Sequence, residues 1–256
     1  MTRTGDGKVV WITGAGSGIG RASAILLAAR GHRLVLTGRR AAPLEETAAL
    51  ARAAPGVHDI LCVPADLARR ADADAVVSAA LGRRGRLDAV VGAAGVNVTQ
   101  RMWSQLSAGD MDHVLDGNLR SQMYTVAAAL PAMRERRDGV FAIISSIAGR
   151  VIGAVSGPMY TAAKHGLTAL SHSINVEECV NGIRACAIHP GEVDTPMLAQ
   201  RPKQLSPAEL ATVLRPEDVA EVVRFVVETP ANVCLNEIWV TPTHNRGYVA
   251  QLGRGS

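Results

Sequence analysis

Seven short runs rich in Val, Ile and Leu recur along the chain, at 9–13, 33–37, 59–63, 87–92, 140–145, 183–189 and 237–240. Most are apolar at consecutive rather than alternate positions, so strands built from them must be covered on both faces. Segments of helical character lie between them, beginning near Gly18, Pro43, Arg69, Gly109, Met159 and Pro216. Strand–helix alternation with right-handed crossovers covers both faces and leads to an α/β fold, a doubly wound parallel sheet of about seven strands flanked by helices. No Pro-, Ser- or Gly-rich linker divides the 256 residues, so a single domain over 1–256 is expected. The one irregular stretch, 192–215, carries Pro196, Pro202 and Pro207 after the sixth strand and reads as a substrate lid.

Composition then narrows the function classes. Three Tyr, three Trp and two Phe are too few and too dispersed to form the stacking platforms that readers of single-stranded nucleic acid need. The formal charge of +4 comes from 24 Arg and only 3 Lys spread along the whole chain. That distribution describes a solvated surface and a small anionic ligand, with no nucleic-acid partner. Cys62, Cys179, Cys186 and Cys234 form no C-x-x-C pair, so no metal site is expected. The first apolar run is too short for a secretion signal, and no stretch reaches the roughly 18 apolar residues of a membrane span. A cytoplasmic protein with no membrane partner is expected.

Thr13-Gly14-Ala15-Gly16-Ser17-Gly18-Ile19-Gly20 follows the first run and leads into a good helix former, Arg21 to Ala29. Gly14 allows a sharp turn, Gly18 a close approach of backbone to a pyrophosphate, and Gly20 close packing of helix on sheet. Ser17, Gly18, Ile19 and Gly20 would meet the anion through the free N–H groups and positive dipole end of that helix. An NAD site also needs a carboxylate at the end of the second strand to accept from the ribose 2′-OH. Here Leu34-Val35-Leu36-Thr37-Gly38-Arg39-Arg40 has none, and the first acid downstream is Glu45, on the following helix. Arg39 and Arg40 offer planar forks for a 2′-phosphate, so NADP is expected in preference to NAD.

Tyr160 and Lys164 stand four apart at the start of a helical stretch, which brings phenol and ammonium onto one face. A phenol of pKa about 10 is a poor base near neutrality, and an adjacent cation moves it toward working range. So tuned, it can give a proton to a carbonyl oxygen or take one from an alcohol. With three Tyr and three Lys, chance supplies about 0.04 pairs at this spacing.

With this pair in place, the chain resembles the short-chain dehydrogenase/reductase family over nearly its whole length. The match comprises the glycine turn, Asp66-Leu67, Gly92-Ala93-Ala94-Gly95, Asn118, Ser145-Ser146, Tyr160 with Lys164, and Pro190-Gly191 with Thr195. The resemblance implies a Rossmann-type sheet and hydride transfer between a nicotinamide cofactor and a carbonyl or alcohol carbon. It implies that Ser146 holds the substrate oxygen and Tyr160 is the acid/base. Lys164 would tune Tyr160 and bind the nicotinamide ribose, while Asn118 would position a water linking Lys164 to solvent. Asp66 and Leu67 would meet the adenine, Ala93 and Gly95 the adenosine, and Pro190, Val193 and Thr195 the nicotinamide. The family usually forms dimers or tetramers, which implies a homodimer or homotetramer through two long helices here at about 109–137 and 159–180.

Two departures bear on these implications. Gly92-Ala93-Ala94-Gly95 replaces the family's usual Asn-Asn-Ala-Gly, removing side-chain hydrogen bonds that steady the fourth strand. Ser17 stands where many NADP-dependent members carry a basic residue, which leaves the 2′-phosphate to Arg39 and Arg40. The substrate expected is a small hydroxy acid, alcohol or matching carbonyl compound, in a mostly apolar pocket drawn from Ile147, Val151, Ile152, Val155 and Met159, with Val96, Met197 and Leu198 above it. Arg201 and Lys203 of the lid are expected to face water. Two alternatives stay open: a reductase of 3-oxoacyl thioesters docking an acidic carrier on Arg134-Glu135-Arg136-Arg137, and a non-catalytic NADP sensor. The segment Val240 to Arg246 lacks the Asp-Gly-Gly ending common in the former.

Overall fold

In a computed structural model that describes residues 7–53 and 59–253, the seven apolar runs become seven strands. They are β1 (Val9–Thr13), β2 (Arg33–Gly38), β3 (Ile60–Pro64), β4 (Ala89–Gly92), β5 (Gly139–Ile144), β6 (Ile183–Pro190) and β7 (Glu237–Val240). All pair in parallel within one sheet, in the order β3-β2-β1-β4-β5-β6-β7. The helices are α1 (Gly18–Ala29), α2 (Ala41–Ala53), α3 (Arg70–Arg84), α4 (Ala108–Leu115), α5 (Ser121–Arg136), α6 (Pro158–Glu178), α7 (Pro207–Leu210), α8 (Pro216–Glu228) and α9 (Arg246–Gln251). No described helix is long and apolar enough to cross a membrane.

Successive side chains of a strand point to opposite faces, so the apolar runs feed two cores. Val10 and Ile12 of β1 pack with Leu27 of α1, Leu44 of α2 and Val223 of α8. Val9 and Trp11 pack on the other face with Val76 of α3, Met133 of α5 and Leu167 of α6. The fully buried Trp11 satisfies its indole N–H by donating to Thr37 Oγ1 at 2.9 Å. Strand order reverses between β1 and β4, and the loops leaving them diverge to open a crevice at the carboxyl edge of the sheet.

The hydrogen bonds missing from the loop after β4 are supplied by another element. Gln122 of α5 is buried, and its amide occupies the space a side chain at Gly92 would need: a Cβ there would collide with Gln122 Oε1. Gln122 Nε2 donates to Thr13 Oγ1 at 3.4 Å and to Ala94 O at 3.5 Å, while Thr13 Oγ1 also accepts from Ala94 N at 3.0 Å. One amide thus ties the ends of β1 and β4 together from below. Gln122→Ala should leave a void and strip a donor from this dry site, costing about 1–3 kcal/mol of folding free energy in urea unfolding. An unchanged unfolding midpoint would show that the loop is held by something else.

Candidate active site

Loops from the carboxyl ends of β1, β4, β5 and β6 surround one cleft of about 470 Å³. Gly14 and Gly18 both take positive φ, +63° and +51°, as the turn after β1 requires. A Cβ on Gly20 would collide with the Gly14 carbonyl, so α1 lies directly on the turn. Ser17, the extended N-cap of α1, makes no side-chain cap bond, which leaves the first N–H groups of the helix open to the cleft. Ser17, Gly18, Ile19, Ala93 and Gly95 line it with Gly14, whereas Gly20 sits behind.

Arg39 and Arg40 follow β2, line the same cleft, are exposed and have no ion-pair partner among the described residues. Glu45, the nearest acid in sequence, lies on α2 against Cys62, and burial with this carboxylate pushes the Cys62 thiol up to about 11. Asp66 and Leu67 are not among the lining residues. Asp66 is exposed and closes a turn, its Oδ1 accepting from Ala68 N at 3.2 Å, and the Leu67 side chain is in the core. Pro190, Val193 and Thr195 border the cleft after β6.

Helix α6 starts at Pro158, directly after Gly157, and places Tyr160 and Lys164 one turn apart. Lys164 Nζ lies 5.3 Å from the centre of the Tyr160 ring and donates to Ile144 O at 3.0 Å. Burial drags this ammonium down to about 7. Burial likewise dominates Tyr160, pushing the phenol up to about 12 against a hydrogen bond with Ser146 and the fields of Arg201 and Arg101. The expected lowering by Lys164 is therefore not what sets the phenol here. The lysine's own charge is disfavoured by the burial that brings it close, and the opposing cations are two arginines.

Ser146, two residues beyond β5, caps the short turn Ile147–Gly149, its Oγ accepting from Ala148 N at 3.1 Å. Ser145 is structural: its hydroxyl donates to Lys164 O at 2.9 Å and locks α6 to the end of β5. His189, at the end of β6, is buried with Nδ1 2.9 Å from Ser146 O and Nε2 3.0 Å from Glu237.

Asn118 lies in a π-helical turn, Asp116–Arg120, that interrupts the helix expected over 109–137. Its Nδ2 donates to Val114 O and Val96 O, both at 2.7 Å, taking up a carbonyl the widened turn releases. Asn118 and Lys164 flank Gly95, where a Cβ would lie 3.0 Å from Asn118 Oδ1 and 3.6 Å from Lys164 Nζ.

The substrate end is more polar than its sequence suggests. Ile147, Val155, Val96, Met197 and Leu198 line it as expected, but Val151 and Ile152 are exposed and, like Met159, outside the lining. Arg101, Asn97 and Glu192 take their place. Arg201, expected to face water, turns into the cleft and pairs with Glu192, while Lys203 is exposed. In a chain with 24 Arg, nothing in the sequence marks Arg101 apart from the others. Only the fold brings it beside Tyr160. Among the described residues no cluster of His, Cys, Asp and Glu could hold a metal ion.

Dinucleotide-dependent oxidoreductases seat their cofactor at such a switch point, and this is the class that the fold and cleft define. Within it the chain belongs to the short-chain dehydrogenase family, whose model matches residues 8–206. An uncharacterized oxidoreductase of Staphylococcus aureus (strain MW2) is 32% identical over 235 residues, 92% of this chain and 97% of that protein. Levodione reductase of Leifsonia aquatica is 39% identical over 202 residues, 78% of this chain and 74% of that protein. A crystal structure of levodione reductase superposes with a TM-score of 0.83 at 33% identity, covering 91% of this chain and 96% of the other. Alcohol dehydrogenase from the archaeon Thermococcus sibiricus, complexed with 5-hydroxy-NADP, gives 0.83 at 28% identity, covering 94% and 99%. The 3-ketoacyl-(acyl-carrier-protein) reductase of Brucella melitensis, complexed with NADH, gives 0.81 at 26%, covering 92% and 97%.

The depressed Lys164 has a consequence for stability. Between about pH 7 and the ordinary lysine value near 10.4, the unfolded chain holds a proton that the folded protein, free of nucleotide, does not. The cost of the buried ammonium is thus complete below about pH 7 and fades as pH rises through that window. Urea unfolding of the nucleotide-free protein and of Lys164→Met should therefore diverge with pH, wild type gaining on the variant from about pH 6 to about pH 9. A constant difference would show that Lys164 keeps its proton when folded.

Proposed function

We propose that the protein is an NADP-preferring oxidoreductase that moves a hydride between NADP(H) and the carbonyl or secondary alcohol carbon of a small substrate. The observation that carries this reading is the convergence of Ser146, Tyr160 and Lys164 on the cleft that the glycine turn also lines. The nicotinamide supplies or accepts the hydride when bound. Ser146 Oγ, fixed at the end of β5, polarises the substrate oxygen. The Tyr160 phenol, which lines the same cleft as Ser146, gives that oxygen its proton in reduction and takes it back in oxidation. With a folded value near 12 the phenol is the protonated donor, which suits reduction near neutrality. Lys164 holds the ribose and passes protons toward the phenol, and Asn118 positions the water between Lys164 and solvent.

The NADP preference rests on Arg39 and Arg40, two cations without carboxylate partners, and on the absence of an acid at the end of β2. Gly14 and Gly18, in conformations that suit glycine, leave the backbone open to a pyrophosphate. We assign adenine contacts to Asp66 and to the backbone of Leu67, which follow β3 outside the lining of the cleft. The segment 192–215 serves as lid: Thr195, Met197 and Arg201 border the cleft, and Arg246 ties the segment down through Glu192 and Glu209. Exposed Met123 on α5 and Val176 on α6 suit a homotetramer or homodimer built on those helices.

The carrier-docking alternative loses support from the basic run it needs. Arg134 binds Glu178, Arg136 lies 3.2 Å from Asp88, and Arg137 donates to Val180 O at 2.7 Å. These side chains are committed to internal contacts. A sensor without chemistry would have no use for the assembled serine, tyrosine and lysine.

Tyr160→Phe should lower turnover by roughly 10²–10⁴-fold while nucleotide binding, read by fluorescence of the reduced cofactor, is retained. Undiminished activity in that variant would remove Tyr160 from the mechanism. Arg39→Ser with Arg40→Ser should raise the KM for NADPH by roughly 10–100-fold, the worth of charge-assisted hydrogen bonds, and leave that for NADH unchanged. Wild-type preference for NADH would overturn the assignment of these arginines.

A further inference from the structure

Arg101 lies in the loop between β4 and α4, with only 5% of its surface exposed. Its guanidinium donates to three backbone carbonyls: Nε to Thr99 at 3.4 Å, Nη1 to Val155 at 3.3 Å and Nη2 to Gln200 at 2.9 Å. These belong to three different segments around the substrate end of the cleft. Carbonyl dipoles solvate the cation but do not cancel its charge, and no carboxylate pairs with it among the described residues.

The surrounding charges sharpen the point. Arg201 pairs with Glu192, and Arg246 with both Glu192 and Glu209. Those two guanidiniums thus hold two carboxylates between them, while Arg101, the most buried of the three, holds none. Burial, and then repulsion from Arg201, hold the Arg101 guanidinium below its ordinary value, while the field between it and Tyr160 acts on both groups. Only three of its five N–H donors are engaged. A buried unmatched charge is costly, and the cost is recovered when an anion arrives with lone pairs for the remaining donors. The backbone makes room for the side chain: a Cβ on Gly157, at φ +76°, would press to 2.9 Å from Arg101 Cβ and 2.7 Å from its carbonyl oxygen.

We propose that Arg101 is the receptor for a substrate carboxylate, so that the preferred substrates are small oxo acids and the matching hydroxy acids rather than neutral ketones and alcohols. This rests on the reading of Ser146 and Tyr160 as the reacting centre of the same cleft. Arg201, half neutralised by Glu192, supports the site from the lid. The guanidinium supplies orientation as well as affinity, because a carboxylate held by its planar fork fixes which end of the substrate lies away from Tyr160.

The test compares small 2-oxo and 3-oxo acids with their methyl esters, which keep the reacting carbonyl and lose only the charge. The wild-type protein should prefer the acid by roughly 10–100-fold in kcat/KM, the worth of a charge-assisted pair. Arg101→Met should collapse that ratio toward one, and Arg101→Lys should restore part of it. Equal use of acid and ester by the wild type, or a fall of both by the same factor in Arg101→Met, would overturn the proposal and leave Arg101 as a clip between loops. If Arg101→Met does not fold, the wild-type ratio decides alone. If no carbonyl compound is reduced at all, the reading of the reaction falls. Calorimetric titration of malonate into the NADP-loaded wild type and Arg101→Met then decides the anion site, binding confined to wild type supporting it and none to either overturning it.

Discussion

Every side chain of β1 is buried, so its backbone can find partners only in β2 and β4, and the chain can turn polar only where the strand ends. That constraint sets the layout. Helices must cover both faces, α1 must return directly over the sheet, and the loops from β1 and β4 must part where strand order reverses. The polar residues Thr13, Ser145, Ser146 and His189 all stand at or just beyond the carboxyl ends of largely apolar strands. Of these, Ser145 and Ser146 line the cleft.

The end of β5 carries this logic into chemistry. Residue 164 is bonded to β5 at both of its ends: the ammonium donates to Ile144 O, and the backbone carbonyl accepts from Ser145 Oγ and from Thr168 Oγ1 at 3.1 Å. Those bonds place Tyr160, one turn earlier, against Ser146. They also remove the lysine from water, and that burial sets the direction of both shifts. A phenol above its usual range and an ammonium below it leave the pair near neutrality as a protonated tyrosine beside a lysine poised to change charge. An anionic or oxygen-rich ligand brought to this lysine would favour its charged form, so occupancy of the cleft and protonation of Lys164 are linked.

The fold and the placing of Tyr160 beside Lys164 were legible in the sequence because both are periodic or local. Runs of apolar residues specify strands, glycines at fixed offsets specify a turn, and an i, i+4 pair on a helix specifies a shared face. What was not legible depends on contacts between segments far apart in sequence. Gln122 replaces the missing amides of the loop after β4 from a helix about 30 residues away, and its space exists only because residue 92 has no side chain. The helix expected to run through 109–137 is interrupted at Asn118 because its side chain takes a backbone carbonyl from its own turn, a competition that propensity does not register. Val151 and Ile152, apolar and close to Ser146 in sequence, are exposed and outside the lining of the cleft. Apolar character alone does not tell a pocket wall from an exposed turn.

Arginine, abundant enough to look uninformative, divides once the fold is known. Many of its side chains are engaged with carboxylates, as Arg21 is with Glu46, Arg70 with Asp74 and Arg224 with Glu228. Such exposed pairs contribute little to stability, and each neutralises its own charge. Against that background Arg39, Arg40 and Arg101 share two properties: none has a carboxylate partner among the described residues, and all three line the one cleft. The first two are exposed and lose little by waiting in water. Arg101 is buried, and its unmatched charge is maintained at a cost to folding. A guanidinium used only to clip loops could be replaced by neutral donors without that cost. Retaining the charge in the cleft that Tyr160 also lines is explained by a function that needs it there, and holding an anion is one.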